Sequence, residues 1–378
     1  MKLVFFSNSL NHHQVNVADE LYHLLGGEFA FVATGERNSV NLKGGLDYTS
    51  RPYCIVACDN DESYRQSMSL AIESEACVFG ASSQIYAVER AKRNPQGLSF
   101  EMAERWLKHG WLTIGSPVFR KWWLNYMRYF RKANFSKLCM SAFAACDDEK
   151  VGAYRGRHYK WGYFTEVKDN IEESIMDSKT REIVLLMWCG RFLKLKHPEI
   201  PVQMAMRLKA KSINFVLDMY GSGDEEEQTK YLAYNLGVGD IVRFHGSLPN
   251  DEILDAMRCH DIFLFTSDRK EGWGAVANES LSNLCVLVAS DAIGSTQYLI
   301  KDGFNGFKFK SRDVDDLTEK VEWLITHKSS MRKMQWNAYV NMRDVWSPKH
   351  AAENLLTLIN DLSNKREPSI LDGPCSKA

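Results

Sequence analysis

The sequence predicts an α/β protein made of two doubly wound domains, and three observations carry that prediction. The chain has 378 residues, 45% hydrophobic and 25% charged. That is a globular composition, and at roughly 100–200 residues per domain it calls for two cores. Short apolar runs bounded by Gly, Asp or Ser alternate with helical stretches, the pattern of parallel strands buried on both faces. A polar segment near Thr165–Thr180 divides the alternation into two series.

In the first series the strand candidates are Leu3–Phe6, Phe29–Val32, Ile55–Ala57, Ala76–Phe79 and Leu138–Ala142. The second reads more clearly, with Ile183–Cys189, Ile213–Met219, Ile241–Phe244, Ile262–Phe265 and Val286–Ala289 as strands. Between these lie helices at Glu225–Asn235, Asp251–Arg258 and Ala275–Ser282. The expected domains are residues 1–165 and 166–363, with 364–378 an unstructured tail. They are expected to face each other across an interdomain cleft, where the carboxyl ends of parallel strands bind ligand.

Charge and cysteines exclude several classes. Lys plus Arg is 47 against Asp plus Glu 48, a net charge of −1. No global field gathers nucleic acid, which is not expected as a partner. Nine cysteines without a CxxC pair read as free thiols in a reducing compartment. The Met1–Phe6 start is too short for a signal-peptide core, and no run approaches the ~18 apolar residues of a spanning helix. These features predict a cytoplasmic location, with the inner face of the membrane open to peripheral contact.

Chemistry concentrates after the strands of the second series. Glu271-Gly272-Trp273-Gly274 follows the 262–265 strand and opens a helix carrying Glu279. The glycines allow close backbone approach, a helix start suits phosphate, and a carboxylate can accept from a sugar diol. Gly190-Arg191, with Lys196 five residues on, follows the 183–189 strand, and such a basic group can neutralise a diphosphate. Taken singly, each of these charged groups is equally a solvated turn.

The ordered set is more specific. Gly190-Arg191 and Lys196, then Gly221-Ser222-Gly223, Phe244-His245-Gly246, and Glu271-Gly-Trp-Gly with Glu279, resembles the retaining GT-B glycosyltransferases of the group 1 (GT4) family. The likeness extends over about Ile183–Lys310, with Gly294-Ser295-Thr296 and Asp302-Gly303-Phe304-Asn305-Gly306 included. It implies that Arg191 and Lys196 hold the diphosphate of a nucleotide-sugar, UDP- or GDP-linked, that Glu271 contacts the donor sugar, and that Glu279 holds the ribose. Gly272, Trp273 and Gly274 would border sugar or phosphate; Gly221, Gly246 and Leu248 would border the nucleoside. It also implies a reaction without resident cofactor or metal. The one Asp-x-Asp, Asp59-Asn60-Asp61, lies in the first domain and reads better as a loop than as a metal site.

Four places depart from the pattern, one of them Gly80-Ala81-Ser82-Ser83, where relatives often carry a His, so no catalytic base is named. Gln297 stands where an acid is common, Trp273 where Phe is common, and Ser7–Gln14 lacks the glycines many relatives carry. In that last segment Asn11, His12 and His13 are acceptor-side candidates, for a sugar or lipid-linked acceptor. The missing glycines also weigh against a nucleotide-sugar epimerase or dehydrogenase, which wants Gly-x-Gly-x-x-Gly there. A non-catalytic nucleotide-sugar or glycan-binding protein is the remaining alternative.

The stretch from Phe119 to Lys132 places Phe119, Trp122, Trp123, Tyr126, Tyr129 and Phe130 on one helical arc, with Arg120, Lys121, Arg128, Arg131 and Lys132 opposite. A single-stranded nucleic acid site is a third option that the neutral overall charge argues against, and two readings stay open. The stretch is an interfacial helix touching an anionic membrane through Arg120, Lys121, Trp122, Trp123, Arg128 and Arg131, or a core helix with a solvated basic face.

Overall fold

The computed structural model describes residues 2–35, 48–168, 179 and 181–378. They form two compact units, Met1–Thr165 with Trp346–Ala378, and Glu166–Val345. Most of the polar segment expected to divide them, residues 169–178 and 180, lies outside the described residues.

The first unit is a seven-stranded parallel sheet in the order β3-β2-β1-β4-β5-β6-β7. Its strands are β1 (Leu3–Ser7), β2 (Phe29–Ala33), β3 (Cys54–Val56), β4 (Ala76–Phe79), β5 (Leu98–Ala103), β6 (Phe135–Cys139) and β7 (His158–Lys160). Helices α1 (Val15–Leu25), α2 (Asp61–Glu73), α3 (Gln84–Arg93), α4 (Pro117–Arg128) and α5 (Ala144–Lys150) connect them. Central strands β1, β2 and β4 are buried throughout, as expected for apolar runs covered on both faces.

The sequence reading missed β5 and β7, and β5 shows why. Glu101 interrupts its apolar pattern, yet stands in register with Lys137 of β6, whose ammonium is 3.0 Å from its carboxylate. Each charge makes the other tolerable in a buried sheet, a compensation invisible one strand at a time. Asn60, inside the Asp-x-Asp, caps α2 by accepting from the Ser63 N–H at 2.8 Å.

The α4 segment is a core helix on its aromatic side. Phe119, Trp122, Tyr126 and Phe130 are buried in the core of this unit. Trp122 donates its indole N–H to Glu101 at 2.6 Å, and half-buried Trp123 donates to the Val151 carbonyl at 3.1 Å. Trp122 is therefore committed to packing and is corrected as a membrane contact, while Trp123 stays half-exposed. Arg120, Lys121, Arg128 and Arg131 are exposed.

The second unit is a six-stranded parallel sheet in the order β10-β9-β8-β11-β12-β13. Its strands are β8 (Val184–Cys189), β9 (Phe215–Tyr220), β10 (Val242–Gly246), β11 (Ile262–Phe265), β12 (Val286–Ser290) and β13 (Gly306–Phe309). Helices α6 (Glu199–Ala210), α7 (Glu226–Asn235), α8 (Asn250–Cys259), α9 (Val276–Ser282), α10 (Gly294–Leu299), α11 (Val314–Thr326) and α12 (Lys328–Asp344) complete the winding. Strand order reverses between β8 and β11, the point at which such sheets open a crevice at their carboxyl ends.

The C-terminus corrects the expected boundaries. Helix α13 (Pro348–Ser363), started by the Ser347 cap and Pro348, packs against α1 and belongs to the first unit. Its buried Ala351, Ala352, Leu355 and Leu358 meet a partner at the far end of the chain, which no local pattern encodes. Nor is the tail free. Cys375 N–H donates to Lys160 O at 2.7 Å and Lys160 N–H to Ser376 O at 2.8 Å, so the last residues satisfy the edge of β7.

Candidate functional site

In the second unit the loops after β8, β9 and β10 are laced by backbone bonds. Gly190 N–H donates to Tyr220 O at 3.0 Å, Phe192 N–H to Ser222 O at 2.9 Å, and Gly221 N–H to Gly246 O at 2.7 Å. Gly221 has φ of +120°, and a Cβ there would sit 2.0 Å from the Gly190 carbonyl oxygen. Only glycine permits that approach. The lacing fixes the backbone on either side of Arg191, whose exposed guanidinium has no ion-pair partner among the described residues.

Lys196 ends a short 3₁₀ turn, and its carbonyl accepts from the Thr266 hydroxyl at 2.7 Å. Thr266 in turn accepts from the Trp188 indole at 3.0 Å. The Lys196 ammonium donates to the carboxylate of Glu271, and both side chains are mostly buried. Next to it His197, at φ +50°, is held between Glu199 at 2.9 Å and Asp268 at 3.5 Å. Burial pushes the Asp268 carboxyl up, but the Lys270 N–H, Arg312 and His197 outweigh it and hold the group below its usual range.

Glu279 sits in α9 with only 7% of its surface exposed. Burial pushes its carboxyl up to about 7. Cys189, at the end of β8, is itself pushed up to about 12 by burial and by the nearby Glu279, against the pull of Lys196. The predicted trio of Lys196, Glu271 and Glu279 therefore gathers at one end of the sheet, with one carboxyl, that of Glu279, largely buried.

Gly274 carries a φ of +78°, and a Cβ there would meet the Phe265 ring at 2.2 Å. Trp273 departs from expectation. It is fully buried, its indole donates to Asn278 at 2.7 Å, and its carbonyl accepts from Ser295. It braces the Gly272–Gly274 loop from beneath and presents no side chain to a ligand. Gly246 ends β10, and Leu248 beyond it is 38% exposed, available to border a ligand.

The sequence reading assigned no role to His245. Its ring stacks on Tyr220 at 4.6 Å and its Nε2 lies 2.6 Å from Asp218, which also binds His260 at 3.0 Å. The Ser222 and Ser247 hydroxyls pair nearby at 2.9 Å. The signal was a histidine directly before Gly246 at a strand end, a place where ligand contacts concentrate.

The first unit holds a separate cavity of about 690 Å³, lined by Ser7, Asn8, Asn11 and Gln14 after β1, by Gly80–Gln84 after β4, and by Trp106 and Tyr163. Asn11 thus lines it as expected. His13 stacks on Tyr163 at 4.7 Å, and its buried Nδ1 finds no hydrogen-bond partner among the described residues. Burial, with His12 adjacent, lowers the His13 pKa to about 3, and burial lowers His12 as well. Both rings are neutral at neutral pH, suited to hydrogen-bonding a hydroxyl rather than holding a phosphate.

Residues 168–341 match the family described as glycosyl transferases group 1. A D-inositol 3-phosphate glycosyltransferase from Stackebrandtia nassauensis is 26% identical over 206 residues, 52% of this chain and 46% of the relative. The chain thus spans less than half the length of that curated relative. Among solved structures, Anabaena Alr3699/HepE in complex with UDP aligns with a TM-score of 0.69 at 14% identity, over 96% of this chain and 100% of that one. WaaG, a glycosyltransferase involved in lipopolysaccharide biosynthesis, aligns at 0.59 and 15%, over 93% and 98%. At these identities the structural likeness establishes the fold: two Rossmann-like parallel-sheet domains.

Proposed function

We propose, on the match of residues 168–341 to the glycosyl transferases group 1 family, that this chain transfers a sugar from a nucleoside-diphosphate sugar to an acceptor hydroxyl. The observation that carries the reading is the cluster of Lys196, Glu271 and Glu279 at the carboxyl ends of β8 and β11, with Arg191 exposed in the same loop after β8. Arg191 and Lys196 neutralise the diphosphate and stabilise the charge that grows as it leaves. Glu271 meets the donor sugar. Glu279 accepts from the ribose hydroxyls, which hydrogen-bond a carboxyl that burial has stripped of water.

Backbone around Gly272–Gly274 completes the phosphate end, and Gly221, Gly246 and Leu248 border the nucleoside. We further propose retention of anomeric configuration and a diphosphate held by side-chain cations in place of a metal. The acceptor enters the 690 Å³ cavity of the first unit, where amides, hydroxyls and the neutral His13 region suit a sugar. A lipid-linked or surface-polysaccharide precursor fits this reading, as does work at the cytoplasmic face of a membrane.

The test is a thermal-shift panel with UDP-, GDP-, ADP- and CDP-sugars on the full chain. A donor at 100 times its Kd stabilises by about 2.7 kcal/mol. One base class should raise the melting temperature, and that donor should release its nucleoside diphosphate when an acceptor is supplied. Stabilisation without turnover on any acceptor would favour the non-catalytic binding protein.

A further inference from the structure

The first unit carries an apolar tip set among basic residues. The 3₁₀ segment Gly110–Gly115 leaves Trp111 62% and Leu112 86% exposed, and Val118 and Leu124 on the adjoining α4 are 68% and 60% exposed. Trp111, Ile114, Trp123 and Leu124 line one shallow groove of about 510 Å³. Large apolar side chains gathered this openly on a soluble surface mark an interaction site.

Charge segregation accompanies the tip. Between Glu104 and Asp147 the sequence holds eight Lys or Arg and no Asp or Glu, in a chain of net charge −1. Glu104 and Asp147 are themselves paired, with Lys108 and Arg105. Arg120, Lys121, Arg128, Arg131 and Lys132 are all exposed. The inward face of α4 is already used by the core, so the outward face is what lacks an occupant.

We infer that residues 110–132 dock on an anionic lipid surface, with Trp111 and Leu112 entering the headgroup–acyl boundary and the exposed arginines and lysines among the lipid phosphates. An acidic protein or a nucleic acid would satisfy the cations and leave the aliphatic tip in water. A second copy of the chain would cover the tip while setting like charges face to face. A lipid interface satisfies both at once, because Arg and Lys keep their heads at the phosphates while apolar neighbours sink below. No helix among the described residues is long and apolar enough to cross a membrane, so attachment through this tip is reversible. Each basic residue near the surface strengthens binding about fivefold, an effect that fades within a Debye length.

The experiment is co-flotation of the full chain, without nucleotide, on vesicles of phosphatidylcholine alone or mixed with phosphatidylglycerol. Binding is expected on the mixed vesicles only, falling as salt rises. Trp111→Ser with Leu112→Ser should weaken it about tenfold or more, since an aliphatic side chain leaves the apolar phase. Arg128→Glu with Arg131→Glu should abolish it. Brominated acyl chains should quench part of the wild-type tryptophan fluorescence and spare Trp111→Phe. An unchanged melting temperature in every variant keeps the readout one of docking. The inference is overturned by indifference to anionic vesicles at low salt, by binding that ignores Trp111 and Leu112, by a salt-stable dimer that hides the tip, or by preference for single-stranded RNA over lipid. It does not rest on the sugar-transfer reading, since no donor enters the assay.

Discussion

Lys196 donates to Glu271 across 75 residues of chain, joining the loop after β8 to the loop after β11. Without a diphosphate, the lysine's counter-charge is this carboxylate. Under the proposed function, a bound diphosphate would compete for the same ammonium and release Glu271 toward the sugar. Glu271→Gln should therefore leave the affinity for free UDP or GDP unchanged or slightly tighter, while impairing the intact sugar donor. Calorimetric titration with both ligands checks this, and equal losses for both would show the roles misassigned.

Glu279 couples binding to stability. Its folded carboxyl keeps a proton up to about pH 7, whereas an unfolded one releases it near 4.5. The folded state thus binds the extra proton in that window, and stability declines as pH rises through it, then levels off. Glu279→Gln should raise stability at pH 8 by on the order of 3 kcal/mol and change it little at pH 4. The same variant should weaken nucleoside-diphosphate binding by roughly 1–3 kcal/mol, the scale of a hydrogen bond to a charged group. Denaturant melts at two pH values, with nucleotide titrations, measure both. A variant neither more stable nor weaker in binding contradicts the assignment.

Lys137 is fully buried against Glu101 at 3.0 Å and Asp148 at 3.6 Å. Burial works against its charge, but Asp148 and Glu101 outweigh that and hold its pKa above the ordinary value. Lys137→Ala strands two carboxylates in the core and should cost about 3–5 kcal/mol in urea melts. A loss below ~1 kcal/mol, the scale of an exposed pair, would show that the network is solvated.

Chelation is the next check. With Arg191 and Lys196 as the counter-charge, EDTA should leave the rate of transfer unchanged. A loss restored by Mn²⁺ or Mg²⁺ contradicts that arrangement.

Much of the second unit was legible because its strands are uniformly apolar. Ile262–Phe265 matches β11 residue for residue, and the glutamates flanking its glycines were placed correctly at its end. Legibility failed where the stabilising partner is distant in sequence. Strand β5 needs Lys137 to excuse Glu101, and α13 needs α1 to cover its apolar face. The inward anchoring of the Trp273 side chain was not legible for a related reason. An aromatic between two glycines looks like a ligand contact until Asn278 and Ser295 are seen to fasten it inward. His245 escaped because its meaning lies in Asp218, a carboxylate inside a strand that reads as an ordinary apolar run.

The most direct test of the account is Lys196→Ala, read by kcat for nucleoside-diphosphate release and by Kd for the free nucleoside. If Lys196 stabilises charge on the departing diphosphate, kcat should fall about 10²–10³-fold, since the interaction strengthens toward the transition state. Affinity for the nucleoside, which carries no phosphate, should stay within about twofold, a change of only ~0.4 kcal/mol. An unchanged kcat, with the donor still bound, would contradict the central claim that the cations after β8 drive departure of the leaving group.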